Sequence, residues 1–243
     1  MALREQLKSQ GDFLFKYRSY FPLLLLLAGL SMIVIYEQKG GPESVSGYQR
    51  WLDDPAIFVS LLGLFIRIHA VGYSGRHTSG RNTGDGQVAH MLNTKGLYSI
   101  VRNPLYVGNY FMWLGIAMLT CNLWFIGVFT VIFWIYYERI VFAEEEFLRE
   151  EFGEDYLKWA AGTPIFIPYK FKWKKPATPF RFRKVLKQEK NGFVALFCIF
   201  FLFDLFRTRI SEQQWVIHKT WLLVMFIFAA TAYMVIKLLR KKF

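Results

Sequence analysis

The apolar residues of this chain fall into six long blocks that are separated by polar segments. A membrane-spanning helix needs about 20 apolar residues, because the hydrocarbon core is about 30 Å thick and a helix rises about 1.5 Å per residue. The blocks are residues 21–36, 55–71, 104–120, 123–142, 193–206 and 215–236. The pattern predicts an all-α, polytopic membrane bundle of about six transmembrane helices within a single domain, residues 1–243. Asp204 interrupts the fifth block, so five spans are the alternative.

Two features of the blocks refine this picture. Only Cys121 and Asn122 separate the third block from the fourth, which predicts a tight antiparallel hairpin of helices. The first block has no small-residue cleavage site after it, which favours an uncleaved anchor over a signal peptide.

The positive charges alternate with the blocks. The sequence has 30 Lys and Arg against 18 Asp and Glu, a net charge of +12, and 54% of its residues are hydrophobic. On alternate sides of the blocks there are 23 and 5 Lys and Arg residues, if Lys219 at the start of the last block is counted with the segment before it. The positive-inside rule then predicts both termini on the cytoplasmic side, at the inner membrane if the source is bacterial. Such blocks exclude a soluble protein, a disordered chain and a disulfide scaffold.

The glycine-rich polar segment 72–108 ends in the motif Arg102-Asn103-Pro104-Leu105-Tyr106-Val107-Gly108. Proline is well suited to the first position of a helix, and Asn103 before it is a natural N-cap. The free N–H groups of that first turn would face a polar ligand. A solvated connector followed by an ordinary helix start is the simpler alternative.

The acidic segment 138–168 follows the fourth block and includes Glu144, Glu145 and Glu146. A run of glutamates is usually a solvated helix face. Carboxylates directly at the exit of a span are costly unless they are paired or used, however. Arg139 is a candidate partner for one of them, and Gly153 is a candidate end for the first part of this helix.

Nine Lys and Arg residues alternate with aromatic residues in segment 169–190. This composition suits an anionic membrane surface and also RNA, but a position between two spans favours lipid. Cys121 and Cys198 fit no metal-ligand spacing, so we expect neither a metal site nor a disulfide.

The two motifs together resemble the integral-membrane methyltransferases of the isoprenylcysteine carboxyl methyltransferase and phospholipid methyltransferase superfamily. The resemblance rests on Gly96-Leu97-Tyr98, on the motif at 102–108, and on Glu144-Glu145-x-x-Leu148-x-x-x-Phe152-Gly153-x-x-Tyr156, with Pro164 and Pro168 after them. It covers about residues 93–168. It implies a membrane enzyme that uses S-adenosylmethionine, with the cofactor pocket closed by a cytoplasmic helix and loops at the end of the hairpin.

The resemblance assigns candidate site residues. The catalytic candidates are Arg102, Asn103 and Glu145. The cofactor-binding candidates are Leu92, Gly96, Tyr98, Val101, Arg102, Asn103, Pro104, Tyr106, Gly108, Glu144, Glu145, Leu148 and Tyr156. Tyrosine rings would face the sulfonium, carboxylates would bind ribose hydroxyls or the amino group, and Arg102 would bind the cofactor's carboxylate.

One position departs from the family pattern, because Asn103 stands where the family usually has histidine. Asparagine keeps the hydrogen-bonding capacity but does not titrate near neutral pH. If the residue at this position only contacts the cofactor, asparagine can take the place of histidine. If it transfers a proton, another group must do so in this chain.

The methyl acceptor is open between a phosphate, a carboxylate and an amine. Cations near the motif favour an anion, and the substrate-binding candidates are Arg67, His69, Arg76, Arg81, Asn82 and Lys95. This set favours O-methylation of an anionic lipid headgroup, such as the phosphate of a lipid A-type glycolipid or phospholipid. An isoprenylcysteine carboxylate is the next alternative, and the same cations would also serve orientation alone.

Two other classes compete with a methyltransferase. Sterol reductases, which bind NADPH, resemble the same region but usually have more spans. Transporters and channels carry polar residues deep in several spans, whereas Arg67, His69, Arg139 and Asp204 all lie near block ends.

Overall fold

The fold is a bundle of helices. The computed structural model describes residues 2–38, 52–75, 81–83, 86–88 and 91–239. The helices are α1 (Leu3–Lys16), α2 (Phe21–Gln38), α3 (Asp53–Tyr73), α4 (Pro104–Met118), α5 (Leu123–Gly162), α6 (Phe182–Glu212) and α7 (Thr220–Leu239). A small antiparallel hairpin, β1 (Arg81–Thr83) and β2 (Gly86–Val88), and a single 3₁₀ turn at Leu97–Ser99 lie between α3 and α4. The predicted all-α class is confirmed.

Each predicted block forms a helix or part of one. Among the described residues, α3, α5 and α7 are long and apolar enough to cross a bilayer, and α1 with α2 forms a bent pair that would add a fourth span. The 15 residues of α4 are fewer than a straight crossing needs. An integral membrane protein is therefore supported, while the count of six spans, the cytoplasmic placement of both termini and the single-domain boundary stay predictions.

The third and fourth blocks form the expected hairpin. Helix α4 ends at Met118 and α5 begins at Leu123. Asn122 caps α5, because its Oδ1 accepts a 2.8 Å hydrogen bond from the backbone N–H of Phe125. This cap satisfies one of the N–H groups that have no partner within the helix.

Helix α5 has 40 residues and a kink at Gly153, and its part before the kink is about 45 Å long, about one and a half times the thickness of the hydrocarbon core. Its uncharged run ends at Tyr137, and charged residues follow from Glu138 onward. The second half therefore projects beyond the apolar layer. Gly153, with φ +50° and ψ −123°, has non-helical backbone and ends the first part of this helix, as predicted, and a second helical part continues from there to Gly162.

Helices α3 and α4 approach each other closely along small residues. A Cβ at Gly63 would collide with the backbone of Gly108 and Met112, and one at Gly115 would collide with Ser60 and the backbone of α3. The Ser60 hydroxyl donates a 2.8 Å hydrogen bond to the Met112 carbonyl. This contact fixes α3 against the helix that begins with the motif.

Two apolar clusters form the interior. One joins α2, α3, α4, α6 and α7 around Leu196, Phe200 and Phe203. The other joins α1, α4 and α5 around Phe15 and Phe133. Helix α1 was not predicted, and its place in the second cluster shows that it belongs to the packed bundle.

Candidate active site

A cavity of about 300 Å³ opens where the charged extension of α5 meets the start of α4. It is lined by polar and aromatic side chains from distant parts of the chain. They are Arg18, Arg67, Val71, Leu92, Asn93, Tyr98, Arg102, Asn103, Pro104, Leu105, Tyr106, Asn109, Tyr137, Glu144, Leu148, Trp159, Gln188 and Glu189. This volume lies at the lower end of the range typical of small-molecule sites.

The backbone of the motif is held by the segment that follows α5. The N–H of Arg102 donates to the Pro164 carbonyl at 2.8 Å, and the N–H of Asn103 donates to the Ile165 carbonyl at 3.2 Å. Pro104 is the first residue of α4, as predicted. Asn103 is the N-cap residue, but its side chain caps no backbone N–H among the described residues, because its amide instead donates to the Ile165 carbonyl at 3.5 Å.

Tyr98 is fixed at the cavity by two neighbouring segments. The Trp159 indole N–H donates to the Tyr98 carbonyl at 3.2 Å. On the other side of the turn, the N–H of Gly96 donates to the Lys174 carbonyl at 2.9 Å, and the Lys174 N–H donates to Ser99 Oγ at 2.9 Å. Gly96 has φ +61°, a conformation that suits glycine, and it shapes this turn without lining the cavity.

Glu144 brings a carboxylate to the cavity from the projecting half of α5. The hydroxyl of Tyr106 faces this carboxylate, and Arg18 lies close enough to act on its charge. Burial raises the pKa of Glu144 to about 7, and the tyrosine and the arginine each lower it in part. A carboxyl group in this state accepts hydrogen bonds from ligand hydroxyls once it is ionised.

Glu145 forms an ion pair with Arg102 beside the cavity, with 3.2 Å between Oε1 and Nε. The Tyr156 hydroxyl faces the same carboxylate. These three atoms are shielded from solvent and make no well-aligned hydrogen bond within the described residues. Buried polar atoms in that condition are costly, and a polar ligand that contacts Arg102 at the cavity would offset the cost.

Arg67 stands on the α6 side of the cavity in a fixed orientation. Its Nε and Nη2 each donate to the Glu189 carboxylate at 2.8 Å, and its Nη1 donates to Asn109 Oδ1. A guanidinium held on one edge by a bidentate carboxylate keeps its plane and direction. Arg67 therefore presents a positive group to the same cavity that Glu144 lines.

The structure brings together many, but not all, of the predicted site residues. The candidates that line the cavity are Leu92, Tyr98, Arg102, Asn103, Pro104, Tyr106, Glu144, Leu148 and Arg67. Glu145 and Tyr156 lie directly behind Arg102. Val101 is buried in the packing, and Lys95 is exposed, so neither lines the cavity within the described residues.

The remaining predicted residues do not line the cavity or are not fully described. Gly108 faces Gly63 and the Arg67 side chain of α3, so its lack of a side chain serves helix packing and not ligand approach. His69 packs against Tyr73 and Trp173 and not along the cavity. Arg139 pairs with Glu138, its neighbour in the middle of α5, at 3.0 Å, and no ion pair with Glu144 or Glu145 is found among the described residues. Arg76 lies outside the described residues, and for Arg81 and Asn82 only the backbone of β1 is described.

Several cavity residues were not predicted from the sequence. Asn109 and Tyr137 are polar side chains within apolar blocks, and that pattern was a usable signal. Arg18, Trp159, Gln188 and Glu189 reach the cavity through packing of segments far apart in the chain, and nothing in their local sequence marks them.

Comparison with known proteins gives matches over the same part of the chain. Residues 55–155 match the phospholipid methyltransferase family. The chain is 27% identical over 119 residues to protein-S-isoprenylcysteine O-methyltransferase B of Arabidopsis thaliana, covering 49% of this chain and 60% of the relative. It is 32% identical over 108 residues to protein-S-isoprenylcysteine O-methyltransferase of Schizosaccharomyces pombe, covering 44% and 45%, respectively. The corresponding Xenopus laevis protein is 29% identical over 119 residues, covering 49% and 41%.

These matches span between 41% and 60% of the length of the three relatives. No solved structure gives a significant match. The family match contains α3, the motif at 102–108, α4 and the bent extension of α5, which are the elements that build most of the cavity. Over this part of the chain the protein is therefore similar to the integral-membrane methyltransferases of the phospholipid and isoprenylcysteine families.

Proposed function

We propose that this protein is an S-adenosylmethionine-dependent methyltransferase that methylates a carboxylate on a membrane-associated acceptor. One observation carries the proposal. A single cavity is lined by Tyr98, Arg102 and Glu144 and also by Arg67, which Glu189 holds in a fixed orientation. Two reactants that bound in this one cavity would be held close together.

The residues on the motif side suit the cofactor. Tyr98, Tyr106 and Trp159 offer aromatic faces to a sulfonium cation. Glu144, with Glu145 behind it, offers carboxylates for ribose hydroxyls or an amino group. Arg102, whose buried Nε has only the poorly aligned contact with Glu145 among the described residues, suits the cofactor's carboxylate.

The charges around the cavity favour an acceptor with one negative charge. Arg18, Arg67 and Arg102 are balanced by Glu144, Glu189 and the Glu145 partner of Arg102 when all are ionised, which for Glu144 requires a pH above its pKa of about 7. S-adenosylmethionine carries a net single positive charge with its amino and carboxyl groups ionised. A carboxylate acceptor therefore leaves the filled cavity neutral, whereas a dianionic phosphate or a neutral amine leaves an uncompensated charge, which is costly away from water.

A carboxylate also removes the need for a base. When bound, S-adenosylmethionine supplies a methyl group that a carboxylate oxygen takes directly, as the carbon–sulfur bond breaks and sulfur keeps the electron pair. The acceptor carries no proton to remove, so the chain's task is to position and to exclude water. Asn103, which cannot titrate, is adequate in the place of a histidine for this reaction.

The relatives support the carboxylate over the lipid headgroup that the basic loop first suggested. The three proteins compared above are named as isoprenylcysteine O-methyltransferases, and none of them is named as a lipid A enzyme. The loop arginines that favoured a phosphate, Arg76 and Arg81, contribute no described side chain to the cavity. The proposed contact of segment 169–190 with an anionic membrane surface is independent of this choice.

Binding of S-adenosylhomocysteine to the detergent-purified protein tests the cofactor half of the proposal. We expect saturable binding by calorimetry, and we expect Glu144→Gln to weaken it. Glu151→Gln, an exposed change of the same kind on the same helix, serves as the matched control and should bind as the wild type does. Binding of NADPH without binding of S-adenosylhomocysteine would favour a reductase instead.

Transfer of radiolabelled methyl groups tests the acceptor half. The acceptors are an S-prenylated cysteine derivative with a free carboxylate, the same compound as its carboxamide, and phospholipid vesicles. We expect label only on the free carboxylate, released as volatile methanol by mild alkali, since carboxyl esters hydrolyse readily and N-methyl groups do not. Alkali-stable label on lipid would contradict the carboxylate and restore the headgroup alternative.

A further inference from the structure

Helix α1 lies along the projecting half of α5 and is joined to it by ion pairs. Arg4 binds Glu146, with Nε donating to Oε2 at 2.8 Å, and Lys8 binds Glu150 at 2.8 Å. Glu146 is buried and directly follows Glu145. Helix α1 is thus attached to the same turn of α5 that carries the acidic pair of the active site.

Packing fixes the position of α1 as closely as the charges do. A side chain at Gly11 would collide with the Arg139 carbonyl and with Ala143, so the two helices touch there. The Tyr136 hydroxyl donates to the Leu14 carbonyl at 3.1 Å. Phe15, which is 4% exposed, inserts into the cluster around Phe133. These contacts therefore fix the C-terminal end of α1 against α5.

Arg18 follows that end and reaches the cavity. Its guanidinium lies over the Phe15 ring, 3.9 Å from the centroid. It lines the cavity together with Tyr106, Tyr137 and Glu144. Stacking on a buried ring limits the directions that the guanidinium can take, so Arg18 is a positioned charge and not a mobile surface group.

We propose that Arg18 is an anion-binding residue of the active site, which the docking of α1 on α5 holds in place. It binds a carboxylate of the reacting pair, either the aminoacyl carboxylate of the cofactor or the carboxylate of the acceptor. A guanidinium recognises both in the same way, through charge-assisted hydrogen bonds. The inference rests on the proposed methyl transfer and adds a residue from outside the matched range 55–155.

The test compares Arg18→Gln and Arg18→Lys with Lys16→Gln. Lys16 is exposed, loses the same charge and lies two residues away, so Lys16→Gln controls for net charge and for local sequence. The probes are S-adenosylhomocysteine, its decarboxylated analogue and the prenylated cysteine acceptor. Thermal midpoints in detergent show whether each variant is folded, and Arg18→Lys keeps the charge if Arg18→Gln is unstable.

The two sources of the carboxylate give different results. If Arg18 binds the cofactor, Arg18→Gln lowers the affinity for S-adenosylhomocysteine about tenfold or more. The affinity for the decarboxylated analogue is then unchanged. If it binds the acceptor, the affinity for S-adenosylhomocysteine is unchanged and KM for the acceptor rises by a similar factor. In both cases Arg18→Lys recovers part of the loss.

The inference is overturned if folded Arg18→Gln and Lys16→Gln show the same affinities and the same KM. That result differs from failure of the proposed function, in which the wild-type protein itself binds no S-adenosylhomocysteine. In that second case Arg18 has no such ligand to bind, and both statements fall together.

Discussion

Arg67 and Glu189 form a two-point ion pair at the active-site cavity although they lie in α3 and α6, far apart in the sequence. Both hydrogen bonds are 2.8 Å long, and the Glu189 side chain is only 5% exposed. Removing one partner of such a pair leaves the other charge uncompensated. The pair is therefore both a link between two helices and the support of a cation that lines the cavity.

We expect Glu189→Gln to raise KM for a carboxylate acceptor about tenfold, because Arg67 loses the carboxylate that fixes its direction. Affinity for S-adenosylhomocysteine should change little, since the motif side of the cavity is untouched. Removing one partner of a fully buried ion pair costs about 3–5 kcal/mol of stability. The loss here should be smaller, because Arg67 is partly exposed. Steady-state kinetics and thermal midpoints in detergent measure these effects.

Two variants control for this change. Glu189→Asp keeps the charge and should recover part of the acceptor affinity. Glu212→Gln makes the same substitution at an exposed position at the far end of α6 and should leave KM unchanged. An unaltered KM in Glu189→Gln would show that Arg67 does not face the acceptor.

Local sequence signals predicted the part of the site that is close in sequence. Proline at the start of α4 and the two-residue connection after Thr120 predicted a hairpin, and the hairpin places the motif beside Glu144. These are short-range constraints that act on neighbouring residues. The structure accordingly brings more of the predicted motif residues than of the predicted basic residues to the cavity.

The rest of the site depends on packing between segments that no local pattern connects. Arg18 and Glu189 come to the cavity from α1 and α6, on either side of the matched region in sequence. Helix α1 has too many charged residues to resemble a span, so hydropathy did not reveal it. Gly108 in the motif lacks a side chain because α3 packs directly against it, and this contact is not visible in the local sequence.

The binding of S-adenosylhomocysteine should depend on pH through Glu144. Burial raises the pKa of this carboxyl to about 7, so it gains its charge as the pH passes through that value. Ribose hydroxyls donate to the ionised form, and binding should therefore tighten between about pH 6 and pH 8 and level off above. Calorimetry across this range measures the slope.

The Glu144→Gln variant should bind S-adenosylhomocysteine more weakly than the wild type. Its affinity should also no longer change between about pH 6 and pH 8, because the amide does not titrate. Glu151→Gln, on the exposed side of the same helix, should keep this pH dependence. An identical slope in Glu144→Gln would assign the titration to another group.

Gly108→Ala should damage both stability and the acceptor site. The new methyl group would collide with the Arg67 side chain and the Gly63 carbonyl, so α3 and α4 must separate or Arg67 must move. Overpacking of this kind costs about 1–3 kcal/mol. We expect a lower thermal midpoint and a higher KM for the acceptor. Gly127→Ala, where a Cβ would meet nothing within 4 Å, should be neutral or slightly stabilising.

The ion network at the opposite end of the bundle should govern stability without affecting binding. The Arg207 Nη1 donates to both oxygens of Asp53 at 3.0 Å, and the Lys219 Nζ donates to Asp53 Oδ2 at 2.6 Å. Asp53 and Arg207 are 7% and 4% exposed, and they join α3 to α6. The network lies at the start of α3, away from the cavity at its end.

We expect Asp53→Asn to destabilise the protein by about 3–5 kcal/mol, because it leaves the buried Arg207 without its counter-charge. Asp54→Asn, an exposed change at the next position, is the matched control and should have little effect. The double variant Asp53→Asn, Arg207→Met should recover part of the loss, since removing both charges costs less than leaving one buried charge without a partner.

Chemical and thermal unfolding in detergent measure the stability of these variants. Calorimetry with S-adenosylhomocysteine, at a temperature where all variants are folded, should give equal affinities. A double variant less stable than Asp53→Asn would mean that Arg207 contributes mainly through its hydrogen bond to the Leu119 carbonyl, at the end of α4, and not through Asp53.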